Sequence, residues 1–391
     1  MRQVVEVAWK SLCKSGEELC GDCVKITSTP ASFTVVLSDG LGSGVKANIL
    51  ATLTAQIAAS MFEKGASIEE VIDTLIETLP ECRVRKLAYA TFAVLKVNRG
   101  QEAYLVEYDS PPLIHIREGK LLDVPSQERT VNGRKIREAH FTLKEKDVMV
   151  MVSDGYVHAG VGGLYRLGWG WQNIVTSVER WSETGEDAHQ LNQALTRTCS
   201  KLYGGNPGDD ATAVCMKVRP ASVVTIWTGP PMDPASDEKT VKRVMDSEGT
   251  KVICGGTTAQ IAARVLGEDL RVEWVPPGKR MGRNSRKKGT PPVARLQGID
   301  LVTEGILTLG QTVERLESAE TRHDLPVQDD AATRLAAILL SADEIRFLIG
   351  MALNPHQVAD QIRGEPMRMV YVKELIRELE RRKKIVTTER I

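Results

Sequence analysis

The sequence predicts an α+β fold for about residues 1–220, followed by a smaller α/β and helical region. Short runs rich in β-branched residues follow one another, as strands do in antiparallel sheets. Two long helical patterns stand together between the early and the late runs, so strands and helices do not alternate as they do in a doubly wound sheet. Near residue 220 the composition changes, with three prolines and a glycine between residues 229 and 234. We therefore expect two domains, 1–220 and 221–391.

The elements of the first domain follow from local patterns. Three strand patterns come first, namely VVEVAW (4–9), CVKIT (23–27) and FTVVLS (33–38). A glycine-rich loop then leads into a helical pattern from Val45 to Phe62, and a second helix opens at Ser67, where Glu70 completes a capping box. The remaining patterns are the strands YATFAVLKV (89–97), AYLVEY (103–108), LIHIREGKLLDV (113–124) and DVMVMVS (147–153), a helical region over 171–203, and the strand ATAVCMKV (211–218).

The second domain is predicted to begin with α/β units and to end in helices. KVICGG and TTAQIAARVLG (251–267) indicate a strand, a glycine turn and a helix, and GIDLVTEGILTL (298–309) can add a strand and a helix to the same core. From about residue 329 the chain has mainly helical patterns. We expect this domain to be folded and, as an addition to a first domain that is complete by about residue 220, regulatory.

Composition excludes several classes of protein. The chain has 51 basic and 51 acidic residues, so its formal net charge of zero gives no general attraction to nucleic acid or to a membrane surface. No window approaches the roughly 18 apolar residues of a membrane span, and the first residues do not have a signal-peptide pattern. Seven cysteines without such a signal favour reduced thiols. The expected location is the cytoplasm.

Acidic residues follow or precede strand patterns at four places. VVLSDG ends at Asp39 and Gly40, and MVMVSDG repeats the phrase at Asp154, while Asp22 follows Gly21 and Asp209 follows Gly208. Carboxylates that converge at one edge of a sheet repel one another unless hard cations lie among them. Oxygen ligands of this kind suit magnesium or manganese. Each site alone is also compatible with ordinary turn chemistry, and Asp22 could simply cap a turn.

The order and wording of these motifs resemble a known family. GD near the start, SDGLGSG before a long helix, ATF in a central strand, a second SDG, and GDDAT before the last strand are together similar to the SpoIIE-like branch of the PPM metal-dependent serine/threonine phosphatases. The resemblance covers about residues 1–220. It implies an αββα sandwich of two antiparallel sheets flanked by helices. It also implies hydrolysis of phosphoserine or phosphothreonine with two Mn²⁺ or Mg²⁺ ions.

The resemblance also assigns roles to individual residues. Asp39 would bridge both metals, Asp22 and the Gly40 carbonyl would complete one site, and Asp154 and Asp209 would hold the other. Asp210 is the weaker candidate of the Asp-Asp pair. A hydroxide shared by the two metals would attack phosphorus in line. The branch typically acts on small anti-sigma-factor antagonist proteins, so a phosphorylated bacterial signalling protein is the implied substrate.

The sequence does not assign roles to several other residues near these motifs. Eukaryotic relatives have histidine where Leu41 stands, so the donor of the proton to the leaving group is unassigned. His158 is close enough to Asp154 to be a candidate. We expect His115, in an alternating strand, to lie on the solvent face. Thr91, in the central strand, could lie beside the site or simply pack in the core.

Two features of the second domain are compatible with ligand binding. Gly255 to Thr258 form a turn before a helix N-terminus that suits a small anionic ligand. The loop Lys279–Lys288 contains six basic residues but no aromatic residues, so a solvated loop is favoured over binding of a phosphopeptide or RNA. The alternative to an active phosphatase is a non-catalytic PPM-like module that senses a ligand or partner.

Overall fold

A computed structural model describes residues 2–29, 32–78, 90–98, 101–163, 165–273, 293–352, 361–362 and 365–391. The chain divides into two compact units, Met1–Pro220 and Ala221–Ile391. The basic loop Lys279–Lys288 lies outside the described residues. Among the residues described, no helix is long and apolar enough to cross a membrane.

The N-terminal unit contains eleven described strands and five described helices. The strands are β1 (Gln3–Leu12), β2 (Asp22–Ser28), β3 (Ser32–Gly40), β4 (Ala90–Asn98), β5 (Glu102–Tyr108), β6 (Ile114–Arg117), β7 (Lys120–Leu121), β8 (Gln127–Val131), β9 (Arg134–Thr142), β10 (Val148–Val152) and β11 (Ala211–Pro220). The helices are α1 (Gly44–Glu63), α2 (Ile68–Thr78), α3 (Asp154–Val157), α4 (Trp171–Ser182) and α5 (Ala188–Leu202).

These strands form two antiparallel sheets with helices outside them. One sheet has the order β1-β11-β10-β6-β7 and the other has the order β2-β3-β4-β5-β9-β8. A core between the sheets joins Leu37 and Leu95 to Met151 and Met216. A second core joins α1 and α2 to the six-stranded sheet, and a third joins α4 and α5 to the five-stranded sheet. The expected two antiparallel sheets with outer helices are therefore present.

Tight turns form two hairpins that the sequence patterns did not identify: the run 113–124 was predicted as one stretch, and no strands were predicted between residues 127 and 142. The run 113–124 is a hairpin of β6 and β7, because Glu118 and Gly119 adopt φ values of 52° and 76° and reverse the chain. Asn132 and Gly133 do the same between β8 and β9, with φ values of 49° and 76°. Positive φ at both positions is the requirement of the tight hairpin turn that Asn-Gly favours. The expected helical region 171–203 is two helices, and Asp187 caps the second with a capping box to Gln190.

The C-terminal unit is built on one mixed sheet. Its strands are β12 (Val223–Thr228), β13 (Thr250–Cys254), β14 (Arg271–Glu273), β15 (Val293–Leu296), β16 (Ile299–Thr303), β17 (Glu344–Ile349), β18 (Gln361–Ile362), β19 (Glu365–Pro366) and β20 (Ile385–Arg390). Its helices are α6 (Asp237–Met245), α7 (Gly256–Leu266), α8 (Ile306–Ser318), α9 (Ala331–Ser341) and α10 (Met367–Arg381). The sheet order is β14-β15-β16-β13-β12-β17-β20, and β18 pairs separately with β19.

The expectation of a mainly helical end is wrong for residues 344–349 and 385–390, which are β17 and β20. β17 lies between β12 and β20, parallel to both, and its residues from Phe347 to Ile349 are buried. The short apolar run FLI at the end of this strand is compatible with either a strand or a buried helix, so periodicity alone does not separate the two. The expected strands and helices at 251–267 and 298–309 are confirmed as β13, α7, β16 and α8.

Candidate functional site

Five aspartates from four chain segments meet where the two sheets of the N-terminal unit adjoin. Asp22 begins β2 and stands opposite Asp39 of β3 in the six-stranded sheet. Asp154 opens α3 directly after β10. Asp209 and Asp210 directly precede β11, which pairs with β10 in the five-stranded sheet. The four predicted segments are therefore brought together.

One serine connects the two sheets at this point. Ser153 Oγ donates a hydrogen bond to Asp22 Oδ2 at 2.8 Å, across 131 residues of sequence, and accepts one from the backbone N–H of Thr212 at 2.8 Å. Ser153 is buried, so these bonds fix the orientation of the Asp22 carboxylate. Sequence reasoning did not assign a role to Ser153, although the serine is part of both SDG phrases.

The Asp39 carboxyl is surrounded by other carboxyls. Burial is the main cause that raises the pKa of Asp39, to about 9. The charges of Asp22, Asp154 and Asp209 raise it further, as does hydrogen bonding with Asp154. A bridging cation would reverse this effect, because it neutralises the repulsion and favours the charged form.

Two neighbouring aspartates have shifted pKa values for the same reasons. Burial raises the pKa of Asp22 to about 7, with contributions from the charges of Asp210 and Asp154, although hydrogen bonds from Thr212 and Ser153 oppose the shift. Burial and the charge of Asp154 also raise the pKa of Asp209. The carboxyls of the site therefore hinder one another's ionisation, and the charge of Lys14 opposes this effect at Asp209.

The glycines of the two SDG phrases allow close backbone packing. A Cβ at Gly40 would lie 2.1 Å from the carbonyl oxygen of Ala47 in α1, and a Cβ at Gly155 would lie 2.0 Å from the carbonyl oxygen of Asp210. Neither distance is compatible with a side chain. These glycines let α1 and the Asp210 segment approach the acidic residues, whereas a metal-binding role for the Gly40 carbonyl stays a prediction.

The chemistry of the donor set fits divalent cations. Within the described ranges, no three His, Cys, Asp or Glu side chains form a ready-made metal-binding group. Asp22 Oδ1 and Asp210 Oδ2 are nevertheless buried without a hydrogen bond from any described group. Asp210 Oδ1 accepts a hydrogen bond from the backbone N–H of Lys14 at 3.0 Å. Buried carboxylate oxygens without donors are suited to hard cations, so Asp210 stays a candidate ligand beside Asp209.

Thr91 and the two candidate histidines occupy three different settings. Thr91 of β4 is directly opposite Asp39, which places it beside the site. His158 is exposed just after α3, and its backbone N–H donates a hydrogen bond to the carbonyl oxygen of Asp154 at 2.9 Å. The expectation that His115 faces solvent is wrong. His115 is buried, with Nε2 3.0 Å from Asp147 Oδ2 and its ring 5.3 Å from that of Phe141.

Comparisons with known proteins agree with the earlier resemblance. Residues 29–219 match the family model described as Stage II sporulation protein E (SpoIIE). No curated protein matches the chain in sequence.

The chain is also similar to parts of several solved structures, of which three are described. The PP2C phosphatase domain with a regulatory fragment of SpoIIE from Bacillus subtilis is 18% identical, with a TM-score of 0.47, and the match covers 56% of this chain and 64% of that one. The RsbU and RsbW domains of Rv1364c from Mycobacterium tuberculosis are 13% identical, with a TM-score of 0.46 and coverage of 61% and 67%. RsbX in complex with magnesium is 16% identical, with a TM-score of 0.40 and coverage of 55% and 95%. The match thus spans less than two thirds of the SpoIIE structure.

Proposed function

We propose, from the premise that residues 29–219 form a SpoIIE-family domain of the PP2C (PPM) phosphatase type, that this chain is a metal-dependent protein phosphatase. Its reaction would be the hydrolysis of phosphoserine or phosphothreonine on a bacterial signalling protein. The observation that carries the proposal is the meeting of Asp22, Asp39, Asp154 and Asp209 from both sheets. Carboxyls whose pKa values are raised by burial and by one another are typical of functional sites.

PPM phosphatases are typically metal-dependent, and the acidic residues here would hold two Mn²⁺ or Mg²⁺ ions. Asp39 would contact both ions, Asp22 and the Gly40 carbonyl would contact one, and Asp154 and Asp209 would contact the other. Bound divalent cations supply positive charge for the phosphoryl oxygens and for activation of the attacking water.

The chain itself contributes fixed positions for these ligands. The register of β2 and β3 sets Asp22 opposite Asp39, and Ser153 prevents rotation of the Asp22 carboxylate. The strand register and the serine therefore hold these two carboxyl groups in place before a ligand binds. The resemblance suggests a substrate of the anti-sigma-factor antagonist kind.

A second candidate is a non-catalytic PPM-like module that senses a ligand or partner. It is favoured by the absence, in the part of the chain that the structure describes, of a preformed three-residue metal group. The two functions differ in whether the chain turns over a phosphomonoester once a divalent cation is bound.

The test is hydrolysis of p-nitrophenyl phosphate by the full chain with Mn²⁺, compared with Asp39→Asn. We expect the substitution to lower turnover at least about a thousandfold, because it removes the charge that both ions share. Asp123→Asn, at an exposed carboxylate away from the site, is the matched control and should retain activity.

Thermal unfolding provides a readout that does not depend on turnover. Without divalent cations, Asp39→Asn should be at least as stable as the wild type, since it removes a half-buried carboxyl with a raised pKa. Mn²⁺ should raise the melting temperature of the wild type but hardly that of the variant. A wild type that binds Mn²⁺ and yet hydrolyses neither this substrate nor a phosphopeptide would favour the sensing module.

A further inference from the structure

A groove of about 620 Å³ lies in the C-terminal unit between α6 and one face of the sheet. The helices α6 and α7 pack on this face over Trp227, Ile253 and Val302. The helices α8, α9 and α10 pack on the opposite face. Among the described residues, β17 and β20 therefore have no helix over them on the groove side.

The strand register identifies the floor of the groove. Thr225 of β12 pairs with Arg346 of β17, and Arg346 pairs with Thr387 of β20. Residues that are paired across strands project from the same face of a sheet. The floor is thus a row in which the Arg346 guanidinium lies between the hydroxyl groups of Thr225 and Thr387. The buried side chain of Leu348 lies next to this row.

The wall of the groove is the basic side of α6. Lys239, Lys242 and Arg243 line it, and Arg346 of the floor is a fourth cation. The lining also contains two carboxylates, those of Asp246 and Glu389. Arg243 is paired with Glu389, and Arg346 is paired with Glu344. Lys239 and Lys242 are exposed and form no ion pair with any described residue. Two cations are thus available to a ligand in the groove.

Thr225 is an independent sign of a polar ligand. Its side chain is 2% exposed, and its hydroxyl oxygen forms no hydrogen bond with any described group. Its place in the strand alternation puts it on the groove side, because Val224 and Ile226 on either side belong to the opposite core. A buried hydroxyl without a partner costs roughly 1–3 kcal/mol, and a valine of the same shape would avoid that cost.

We propose that this groove between α6 and β17–β20 binds a small phosphate-bearing molecule, with Lys239 and Lys242 pairing with its charge and Thr225 donating a hydrogen bond from the floor. The volume is within the range of small-molecule sites, about 300–1,000 Å³. The polar floor and the two free ammonium groups favour an anion over an apolar compound. Compact ammonium groups are common ligands of phosphate.

The experiment is isothermal titration calorimetry of inorganic triphosphate into the full chain in EDTA. EDTA keeps divalent cations from the acidic site of the N-terminal unit, so that phosphate is not attracted there. We expect saturable binding at one site per chain. Lys239→Ala and Lys242→Ala should each weaken binding about tenfold, as expected for the loss of one charged contact.

Two further variants separate a binding site from a merely structural groove. Thr225→Val should weaken binding several-fold without lowering the melting temperature, whereas an unused hydroxyl would leave binding unchanged. Glu389→Gln should strengthen binding, because it removes a negative charge and releases Arg243. Arg377→Ala, at an exposed cation of α10 on the opposite face of the sheet, is the matched control and should bind like the wild type.

Several outcomes would overturn the proposal. One is the absence of saturable binding of triphosphate by the wild type. Another is equal binding by the lysine variants and Arg377→Ala, which would indicate general charge attraction. Citrate that binds as tightly as triphosphate would contradict the phosphate class. Binding of single-stranded RNA without binding of triphosphate would show that the groove takes a different class of partner.

Discussion

Single glycines determine how closely the acidic segments can approach one another. Gly155 contacts the backbone of Asp210, and Gly21 contacts its side chain, with a Cβ at Gly21 only 2.7 Å from Asp210 Oδ2. The carboxylates therefore converge because small residues stand at each contact point. This requirement concerns space and not backbone conformation, since neither glycine has a positive φ.

Gly155→Ala should lower the free energy of unfolding by about 1–3 kcal/mol, the usual cost of forcing a methyl group into a packed region. The reason is the 2.0 Å approach of the new Cβ to the Asp210 carbonyl. Urea unfolding measures the change. Gly208→Ala is the control, because its Cβ would meet only Tyr203 Cε1 at 3.6 Å. Equal stability of the two variants would contradict the packing argument.

Replacement of Asp154 or of Asp209 should change the Mn²⁺ requirement of turnover in the same way, because both would bind the same ion. Alanine at either position should raise the Mn²⁺ concentration for half-maximal turnover roughly tenfold or more, because a hard oxygen ligand is lost. Turnover measured across a Mn²⁺ series checks this, with Asp123→Ala as the exposed control. An unchanged requirement in both site variants would refute the assignment of these two ligands.

At the scale of elements, a buried charged cluster joins β6 to the start of β10. The fully buried Asp147 carboxylate accepts hydrogen bonds from Arg117 Nε and Nη2 at 2.8 and 2.7 Å. It also accepts one from the Lys144 backbone N–H at 2.8 Å and contacts His115. Burial acts to raise the pKa of Asp147, but these partners outweigh it and lower the pKa to about 2.

Asp147→Asn should reduce the free energy of unfolding at pH 7 by about 2 kcal/mol, since one pKa unit corresponds to about 1.4 kcal/mol. The folded-state pKa lies below the unfolded value of 3.8. The carboxylate therefore stabilises the fold above about pH 4, and this contribution is lost as the pH falls towards 2.

Denaturant unfolding of the wild type and Asp147→Asn at pH 7, 5, 3 and 2 measures this contribution. The gap between them should be constant from pH 7 to 5 and should shrink between pH 4 and 2. Asp123→Asn should show no such gap, because that carboxylate is exposed. A gap that stays the same at pH 2 would mean that Asp147 acts through packing and not through its charge.

At the scale of the whole molecule, each unit has its own hydrophobic cores. The three cores of the N-terminal unit contain residues up to Val218 only, and the two cores of the C-terminal unit begin at Val224. Units with separate cores are expected to fold independently. We propose that residues 221–391 regulate the phosphatase domain or select its partner.

A protein of residues 1–220 should fold and hydrolyse p-nitrophenyl phosphate with Mn²⁺ at a rate within about threefold of the full chain, because the candidate ligands all lie in its unit. Its activity on a phosphoprotein should differ from that of the full chain. Circular dichroism, Mn²⁺ binding and turnover test the expectation. A truncated protein that folds and binds Mn²⁺ but is inactive on the small substrate would show that the C-terminal unit completes the site.

The sequence by itself determined the features that depend on neighbouring residues. The Ser67 and Glu70 capping box is present, and α1 covers the pattern from Val45 to Phe62. The Asn132-Gly133 pair is also a local sequence signal for the hairpin turn that it forms. Helical periodicity, caps and tight turns act over a few residues, so a short window contains the necessary information.

Only the tertiary structure decided which distant groups meet. It brought Ser153 to Asp22 and buried His115 against Asp147. It also selected a strand for residues 344–349, where parallel neighbours on both sides supply the hydrogen bonds. Local patterns gave no prediction or a wrong one at these positions. The free energy that stabilises the observed structure there comes from burial and from contacts with residues far away in the sequence.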